Sequence, residues 1–280
     1  MKSLIIKLET TIEDSNTFLV NNKKLCFDKD NFKVLENMPR IITYVDGGNA
    51  QIYGNNSCSL QIMRLCAYNS KPIIKQFFVL VLKKERCFEF FYEGYEGLPN
   101  KIDVSVSLEE AINIIRRLAE LDFASQYDEV VIDGSLDTKH DFEKKYLDKL
   151  KSVAGLSKTH SFLTDKSLPL GYQLYRYKKG SWYYYLYSNK EIDTGMIKLN
   201  DNSSYVFRVD TKNFDYNLLV SDSSDSIFLG YPYGLVQADS FARISNVEIE
   251  NLKVELLSNK ELLAASKSSD AHQVLDSLRF

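Results

Sequence analysis

The sequence predicts an α/β protein in which helices flank a mixed β-sheet. Two short runs, IITYVD at 41–46 and VVID at 130–133, are apolar at both odd and even positions. This pattern is typical of strands that are covered on both faces. Between them, QFFVLVLKKERCFEFFYEG predicts a hairpin and SLEEAINIIRRLAELDFAS a helix. A helix that crosses from a hairpin to the next buried strand favours a mixed sheet.

The helix over 107–125 has apolar residues at helical spacing, with Ser107 as its expected N-cap and Glu110 three residues further on. For residues 1–40 we expect an irregular, partly helical segment that ends at Pro39. The remaining predictions are a short helix at SLQIMRLCAY, a helix leading to a loop at DFEKKYLDKLKSVAGLSK, an aromatic hairpin from GYQLYRY and WYYYLY, strands at GMIKL and SYVFRVD, and helical structure from GYPYGLVQADSFARIS to the end.

Composition and charge exclude several classes of protein. With 280 residues, 44% hydrophobic and 26% charged, the chain is typical of folded globular proteins. A net charge of −3 argues against a strongly basic nucleic-acid coat. No apolar run approaches a membrane span or a signal peptide, so we expect a cytoplasmic protein. The four cysteines form no C-x-x-C pair and predict reduced core thiols.

The most informative feature is an aspartate followed by glycine at the end of each buried strand. Asp46 is followed by Gly47 and Gly48, and Asp133 by Gly134, where we expect the glycines to end the strands. Asp-Gly is also a common turn. Ligand sites of α/β sheets lie at the carboxyl ends of strands. If the two strands are neighbours, the carboxylates would repel unless a divalent cation such as Mg²⁺ or Mn²⁺ neutralised them.

Other residues are candidates for the same site. Glu120 lies on the polar side of the predicted helix, where a solvated ion pair is the alternative. Asp239 is a polar residue among apolar helical neighbours, and an exposed position would explain it equally well. Lys158 could neutralise a phosphate or be an ordinary loop lysine. The three histidines, His140, His160 and His272, lack zinc-ligand spacing.

The aromatic run YQLYRYKKGSWYYYLY interleaves tyrosines with Arg176, Lys178 and Lys179. Aromatic and cationic side chains together hold single strands of nucleic acid without sequence preference. Alternating aromatics in strands are more often core residues, which is the interpretation we favour.

Taken in order, the segments YVDGGNAQIY, RRLAELDFA, EVVIDGSLD, the SK at 157–158, MIKLNDNSSYVFRVD and GYPYGLVQADSFARIS resemble the NurA nuclease family, over Tyr44 to Ser245. The resemblance implies an RNase H-like core that binds Mn²⁺ or Mg²⁺, with two ions expected. It also implies 5′-to-3′ exonuclease and single-strand endonuclease activity, and a dimer working with a HerA-type hexameric ATPase in DNA end resection. The chain would form one nuclease domain, with an extension at 1–40, the core at 41–160, and strands and helices at 161–280.

By this resemblance Asp46, Glu120, Asp133 and Asp239 match the family's metal-binding acids, and Lys158 its basic partner. The first motif reads DGG where DGS is usual, and the segment from Glu120 to Asp133 is short, which leaves Glu110 as a substitute for Glu120. Three alternatives stay open: a noncatalytic docking subunit of an ATPase complex, a nuclease of antiphage defence, and an RNA-directed nuclease.

Overall fold

Eight strands precede the first α-helix of the described residues in the computed structural model, which describes residues 15–20 and 23–257. The strands are β1 (Thr17–Val20), β2 (Lys23–Cys26), β3 (Phe32–Val34), β4 (Thr43–Gly54), β5 (Cys58–Tyr68), β6 (Pro72–Lys83), β7 (Phe88–Glu93), β8 (Lys101–Ile102), β9 (Glu129–Asp133), β10 (Ser152–Ser157), β11 (Leu163–Thr164), β12 (Trp182–Asn189), β13 (Ile192–Lys198) and β14 (Phe207–Lys212). The α-helices are α1 (Leu108–Ala124), α2 (Asp141–Leu147), α3 (Leu170–Tyr177), α4 (Tyr233–Ala242) and α5 (Asn246–Leu257).

The chain divides into two compact units, described here one at a time. The first unit contains the residues up to Val45, Tyr68–Lys71 and Ala124–Gln237. The second contains Asp46–Ala67, Pro72–Phe123 and the residues from Ala238 onward. Strand β4 begins in the first unit and continues into the second.

The sheet of the first unit has the strand order β3-β12-β13-β14-β10-β9-β4. Strand β9 pairs in parallel with β10 on one side and with the first residues of β4 on the other. The pairs β10–β14, β14–β13, β13–β12 and β12–β3 are antiparallel. Parallel neighbours require a crossover connection, and α2 lies in the connection from β9 to β10. The predicted mixed sheet with flanking helices is therefore confirmed.

A second, smaller sheet in this unit has the order β11-β1-β2. Its β1 contributes Phe18 and Val20 to an apolar cluster with buried residues of α3 and β12, among them Leu174 and Trp182. The predicted irregular entry segment is thus wrong for Thr17–Val20, Lys23–Cys26 and Phe32–Val34, which form β1, β2 and β3, while residues 21 and 22 lie outside the described residues. Residues 1–14, also part of that prediction, lie outside the described residues.

In the second unit the strand order is β4-β5-β6-β7-β8. The predicted hairpin is confirmed, with β6 and β7 antiparallel and Lys83 opposite Phe88. The predicted helix is also confirmed, since α1 covers 108–124 and the Ser107 Oγ accepts the N–H of Glu110 at 3.0 Å. Its buried face includes Ile115 and Leu118.

Three local predictions are wrong. SLQIMRLCAY forms β5 instead of a helix, because a short, nearly continuous apolar run fits either periodicity and neighbouring strands decide it. GYQLYRY forms α3 instead of half a hairpin, because Leu170 and Leu174, four residues apart, bury the same helical face. DFEKKYL forms the predicted helix as α2, but SVAGLS forms β10 instead of the loop that was predicted to follow the helix.

The predicted strands at GMIKL and SYVFRVD are confirmed for 195–198 in β13 and 207–210 in β14, and WYYYLY begins β12. The predicted C-terminal helical region is confirmed for α4 and α5. Its continuation beyond residue 257 lies outside the described residues, as does His272. Of the cysteines predicted to be core thiols, only Cys66 is buried, while Cys26 is exposed. No helix in the described part of the chain is long and apolar enough to span a bilayer.

Candidate functional site

The two aspartates that the sequence singled out come directly after residues that pair in adjacent parallel strands. In the first unit Val45 of β4 lies opposite Ile132 of β9, and each is followed directly by its aspartate. Strand β9 ends at Asp133, and Gly134 adopts a φ of +100°, a backbone conformation that favours glycine. The prediction that the strands are neighbours is confirmed.

The interpretation of Gly47 and Gly48 as a strand end is wrong, because β4 continues to Gly54. Within the second unit these glycines allow close packing instead. A Cβ at Gly47 would lie 2.7 Å from the Glu120 Oε1, and a Cβ at Gly48 would lie 2.3 Å from the backbone oxygen of Ala242. The double glycine therefore lets α1 and the end of α4 approach β4.

Asp133, in the first unit, forms an ion pair with Lys158. The Lys158 Nζ lies 2.8 Å from the Asp133 Oδ2, and the two side chains are 50% and 28% exposed. Lys158 follows the end of β10, and its Nζ also lies 5.0 Å from the centre of the Tyr231 ring. The predicted basic partner therefore contacts the predicted acid.

A buried charge network fixes the loop that follows Asp133. Asp210 of β14 is fully buried and accepts hydrogen bonds from the Leu136 N–H at 3.0 Å and the Thr194 hydroxyl at 2.8 Å. Arg208 pairs with Asp210 at 2.9 Å and with Asp137, in the loop itself, at 2.5 Å. The network joins the loop to β14.

Burial raises the pKa of the Asp210 carboxyl, and the charge of Arg208 opposes that rise. The sequence interpretation missed both residues as members of the site. Their signal is the F-R-V-D segment, where opposite charges two residues apart share one face of a strand and alternate with the apolar Phe207 and Val209. Such a pair inside a buried strand indicates a buried ion pair.

His160 lies close to this network. Burial lowers the pKa of its imidazole, and the charge of Arg208 lowers it further. Its Nδ1 accepts the Phe162 N–H at 3.3 Å. His140 immediately precedes α2 and stacks on Phe142. Neither histidine is gathered with other metal-binding side chains.

Asp46, in the second unit, accepts the Gly47 N–H at 2.8 Å. Burial raises the pKa of the Cys66 thiol to about 11, and the negative charge of Asp46 contributes to the rise. The carboxylate of Asp46 is thus a source of negative potential beside β5.

Glu120 has a buried carboxylate, 5% exposed, held by two arginines of its own helix. Arg116 pairs with it at 2.7 Å and Arg117 at 3.5 Å. The same Arg116 donates to the Gly47 backbone oxygen at 2.7 Å, so this pair lies against the strand residue next to Asp46. Glu110, the substitute candidate, lies in the first turn of α1, about 15 Å further along the helix axis.

Asp239 of α4, also in the second unit, pairs with Arg243 one helical turn later at 2.5 Å and is partly exposed. Across residues 15–20 and 23–257, no group of three or more His, Cys, Asp or Glu side chains is gathered as a metal site. The carboxylate oxygens of Asp46 and Asp133 nevertheless fit the ligand preference of Mg²⁺ or Mn²⁺. In their present geometry Asp133, Glu120 and Asp239 each have a basic partner.

Comparison with known proteins gives a match in fold. No protein-family model matches the chain, and no curated protein matches it in sequence. The crystal structure of NurA with manganese matches with a TM-score of 0.51 at 8% identity, covering 87% of this chain and 93% of that one. The chain has a NurA-like fold. The endonuclease V of Ciona intestinalis, in complex with inosine-containing DNA, matches with a TM-score of 0.41 at 10% identity, covering 90% and 96%. That score is too low to support a conclusion.

Proposed function

We propose that this protein is a divalent-metal-dependent nuclease that hydrolyses DNA, with Asp46 and Asp133 as its main metal ligands. The observation that carries the proposal is the parallel pairing of Val45 with Ile132, each followed by an aspartate. The NurA-like fold supports it. Glu120 and Asp239 would complete the ligand set, for two Mn²⁺ or Mg²⁺ ions.

When bound, the cations would supply positive charge for the scissile phosphate and a water of lowered pKa. The residues of the chain do the remaining work. Lys158 holds the Asp133 carboxylate in position through their ion pair. Because the Lys158 side chain is long and half exposed, its ammonium can turn to a phosphate oxygen as a point cation. Arg116 and Arg117 orient Glu120 beside β4.

The mode of cleavage and the partners that we propose follow from the resemblance to the NurA family. We propose 5′-to-3′ exonuclease and single-strand endonuclease activity, in a homodimer that works with a HerA-like hexameric ATPase in DNA end resection. We also propose that the whole chain acts as one nuclease domain. Antiphage defence is an alternative setting for the same chemistry, and RNA an alternative substrate.

Cleavage of labelled single-stranded DNA in the presence of Mn²⁺ tests the proposal. We expect wild type to cleave and Asp46→Asn and Asp133→Asn to lose activity by more than about a hundredfold. Asp128→Asn is the matched control, because Asp128 also pairs with a lysine, Lys151 at 2.7 Å, but both side chains are highly exposed. Intact DNA with wild type, or equal cleavage by all variants, would reject the proposal. Equal rates on RNA would broaden the substrate class.

A specific observation favours one second function, a noncatalytic docking subunit of an ATPase complex. Asp133, Glu120 and Asp239 each pair with basic side chains, which could take the place of a metal. The first motif reads DGG where DGS is usual in the family, and this departure also favours a noncatalytic subunit. A docking subunit would bind an ATPase without binding Mn²⁺, so a pull-down and a metal titration on the same preparation separate the two functions.

A further inference from the structure

Helix α3 in the first unit packs one face against the apolar core of that unit. Leu170, Leu174 and Gln173 are buried, and the two leucines belong to the apolar cluster around Trp182. The Gln173 side chain donates to the Tyr177 hydroxyl at 3.2 Å, and the Tyr177 ring stacks on Phe27. These contacts fix the orientation of the opposite face.

That opposite face carries aromatic rings where surface helices usually carry charged residues. Tyr172 is 44% exposed and Tyr175 is 41% exposed. The Arg176 guanidinium lies 6.0 Å from the centre of the Tyr172 ring. We call the face formed by Tyr172, Tyr175 and Arg176 the tyrosine face.

The ammonium of Lys198 lies against the Tyr175 ring and is held in place by hydrogen bonds. The Lys198 Nζ is 5.6 Å from the centre of the Tyr175 ring and donates to the backbone oxygens of Gly180 and Asp201 at 3.0 and 2.9 Å. Because Lys198 is nearly fully buried, these bonds hold its ammonium in place. The electron-rich ring of Tyr175 is thus oriented by a structural lysine.

The segment around the tyrosine face is basic. Residues 166–190 contain no aspartate or glutamate, and their cationic residues are Lys166, Arg176, Lys178, Lys179 and Lys190. The nearby Asp201 carboxylate accepts the Ser181 hydroxyl at 2.5 Å. Charge complementarity therefore favours a polyanion, and the two exposed rings favour one whose bases are unpaired.

The helix also adjoins the segment that carries Lys158, within the same unit. A Cβ at Gly171 would lie 3.4 Å from the His160 Nε2, and His160 is two residues beyond Lys158. The tyrosine face and Lys158 are thus carried by neighbouring segments of one unit.

We propose that the tyrosine face binds an unpaired nucleic-acid strand, with bases stacked on Tyr172 and Tyr175 and phosphates bound by Arg176, Lys178 and Lys179. The choice of nucleic acid as the ligand rests on the proposed function. The tyrosine face would hold the substrate during cleavage. Stacking on aromatic side chains accepts any base, because every base has a π-face. Binding on this face is thus independent of sequence.

Fluorescence anisotropy of a labelled oligothymidylate, with full-length protein in EDTA, tests the face without cleavage. We expect Tyr172→Leu and Tyr175→Leu each to weaken binding about tenfold. Tyr172→Phe and Tyr175→Phe keep the ring and should bind like wild type. The control is Phe91→Leu, which removes an aromatic side chain that is 56% exposed and lies between Glu89 and Glu93. Leucine variants that bind like wild type would overturn the proposal.

The salt dependence of binding gives a second readout. Lys179→Gln should reduce the slope of log K against log salt by about 0.7, the value for one phosphate contact on a single strand. Lys101→Gln removes an equal charge at Lys101, which pairs with Asp103 in the other unit, and should leave the slope unchanged. An unchanged slope in Lys179→Gln would count against the phosphate contacts.

The two proposals fail in different ways. Asp133→Asn should bind the oligonucleotide in EDTA at least as tightly as wild type, because it frees the Lys158 ammonium, and yet not cleave it. If wild type never cleaves but the leucine variants still lose binding, the nuclease proposal fails and the tyrosine face stands. If wild type cleaves and the leucine variants bind normally, the tyrosine face fails alone.

Discussion

Asp133 and Glu120, one in each unit, are both acids held by basic side chains, but their surroundings differ. Asp133 has one lysine partner, and both side chains are partly exposed. Glu120 has two arginine partners and is almost fully buried. Exposed ion pairs contribute about 0–1 kcal/mol, whereas breaking a buried pair leaves an uncompensated charge and costs several kcal/mol.

This difference in burial indicates which of the two acids can exchange its basic partner for a metal ion. Lys158 can leave Asp133 at little cost, so a divalent cation or a phosphate can compete for either partner. Glu120 would have to give up two arginines, one of which also binds the Gly47 backbone. We therefore expect Asp133 to bind metal first, and Glu120 to join the ligand set only after its arginines rearrange.

The largest expected effect tests what keeps Asp133 in place. Asp210→Ala leaves Arg208 buried with only Asp137 and removes the acceptor for the Leu136 N–H. We expect the free energy of unfolding, measured by urea denaturation, to fall by about 3 kcal/mol. Asp137→Ala, which removes the more exposed acid, should cost less than about 1 kcal/mol. Equal losses would mean that the loop is not held by Asp210.

The next prediction compares the two acids directly. Glu120→Gln removes the charge that both arginines bind and should lower the free energy of unfolding by about 2 kcal/mol. Asp133→Asn should change it by less than about 1 kcal/mol, because its ion pair is half exposed. Urea denaturation without metal measures both. If Asp133→Asn were the more destabilising, the contrast between the two regions would be wrong.

The paired glycines test the packing around Asp46. Gly48→Ala places a methyl group against the backbone of Ala242, which cannot move aside, and should cost about 1–3 kcal/mol. Gly47→Ala meets side-chain atoms of Glu120 and Leu65, which adjust more readily than backbone, and should cost less. Thermal denaturation of both variants provides the comparison, and the reverse order would show that Glu120 is the more rigid neighbour.

The smallest expected effect concerns pH. Burial holds the pKa of His160 below its usual 6.5, so at mildly acidic pH the unfolded chain binds more protons than the folded one. Stability should therefore fall as pH drops below 6.5, by at most about 1.4 kcal/mol per pH unit. His160→Gln should lack this component in urea denaturation repeated across pH. Identical pH curves for variant and wild type would assign the dependence to other groups.

Much of the fold follows from local sequence, and the failures have physical causes. The capped helix after Ser107 and the hairpin of β6 and β7 have periodicities that only one structure satisfies. The run SLQIMRLCAY is apolar enough for helix or strand, so pairing partners distant in sequence decide it. Gly47 and Gly48 have two explanations in sequence, a turn or close packing, and only α1 and α4 distinguish them.

In the candidate site, too, some residues have a local sequence signal and others depend on tertiary packing. Asp46 and Asp133 are detectable because a polar residue ends each apolar run. The Arg208–Asp210 pair was missed because its function depends on a loop that lies 71 residues away from Arg208 in sequence. The exposure that separates Asp133 from Glu120 is a property of tertiary packing and has no local signal.

The most direct test of the account is the affinity for Mn²⁺, measured by electron paramagnetic resonance on wild type, Asp133→Asn and Asp128→Asn. We predict that wild type and Asp128→Asn bind Mn²⁺ equally and that Asp133→Asn binds it more than about tenfold more weakly. Lys158→Met should bind Mn²⁺ at least as tightly as wild type, because the competing ammonium is gone, while cleaving DNA more slowly. Equal Mn²⁺ affinity in wild type and Asp133→Asn would contradict the account.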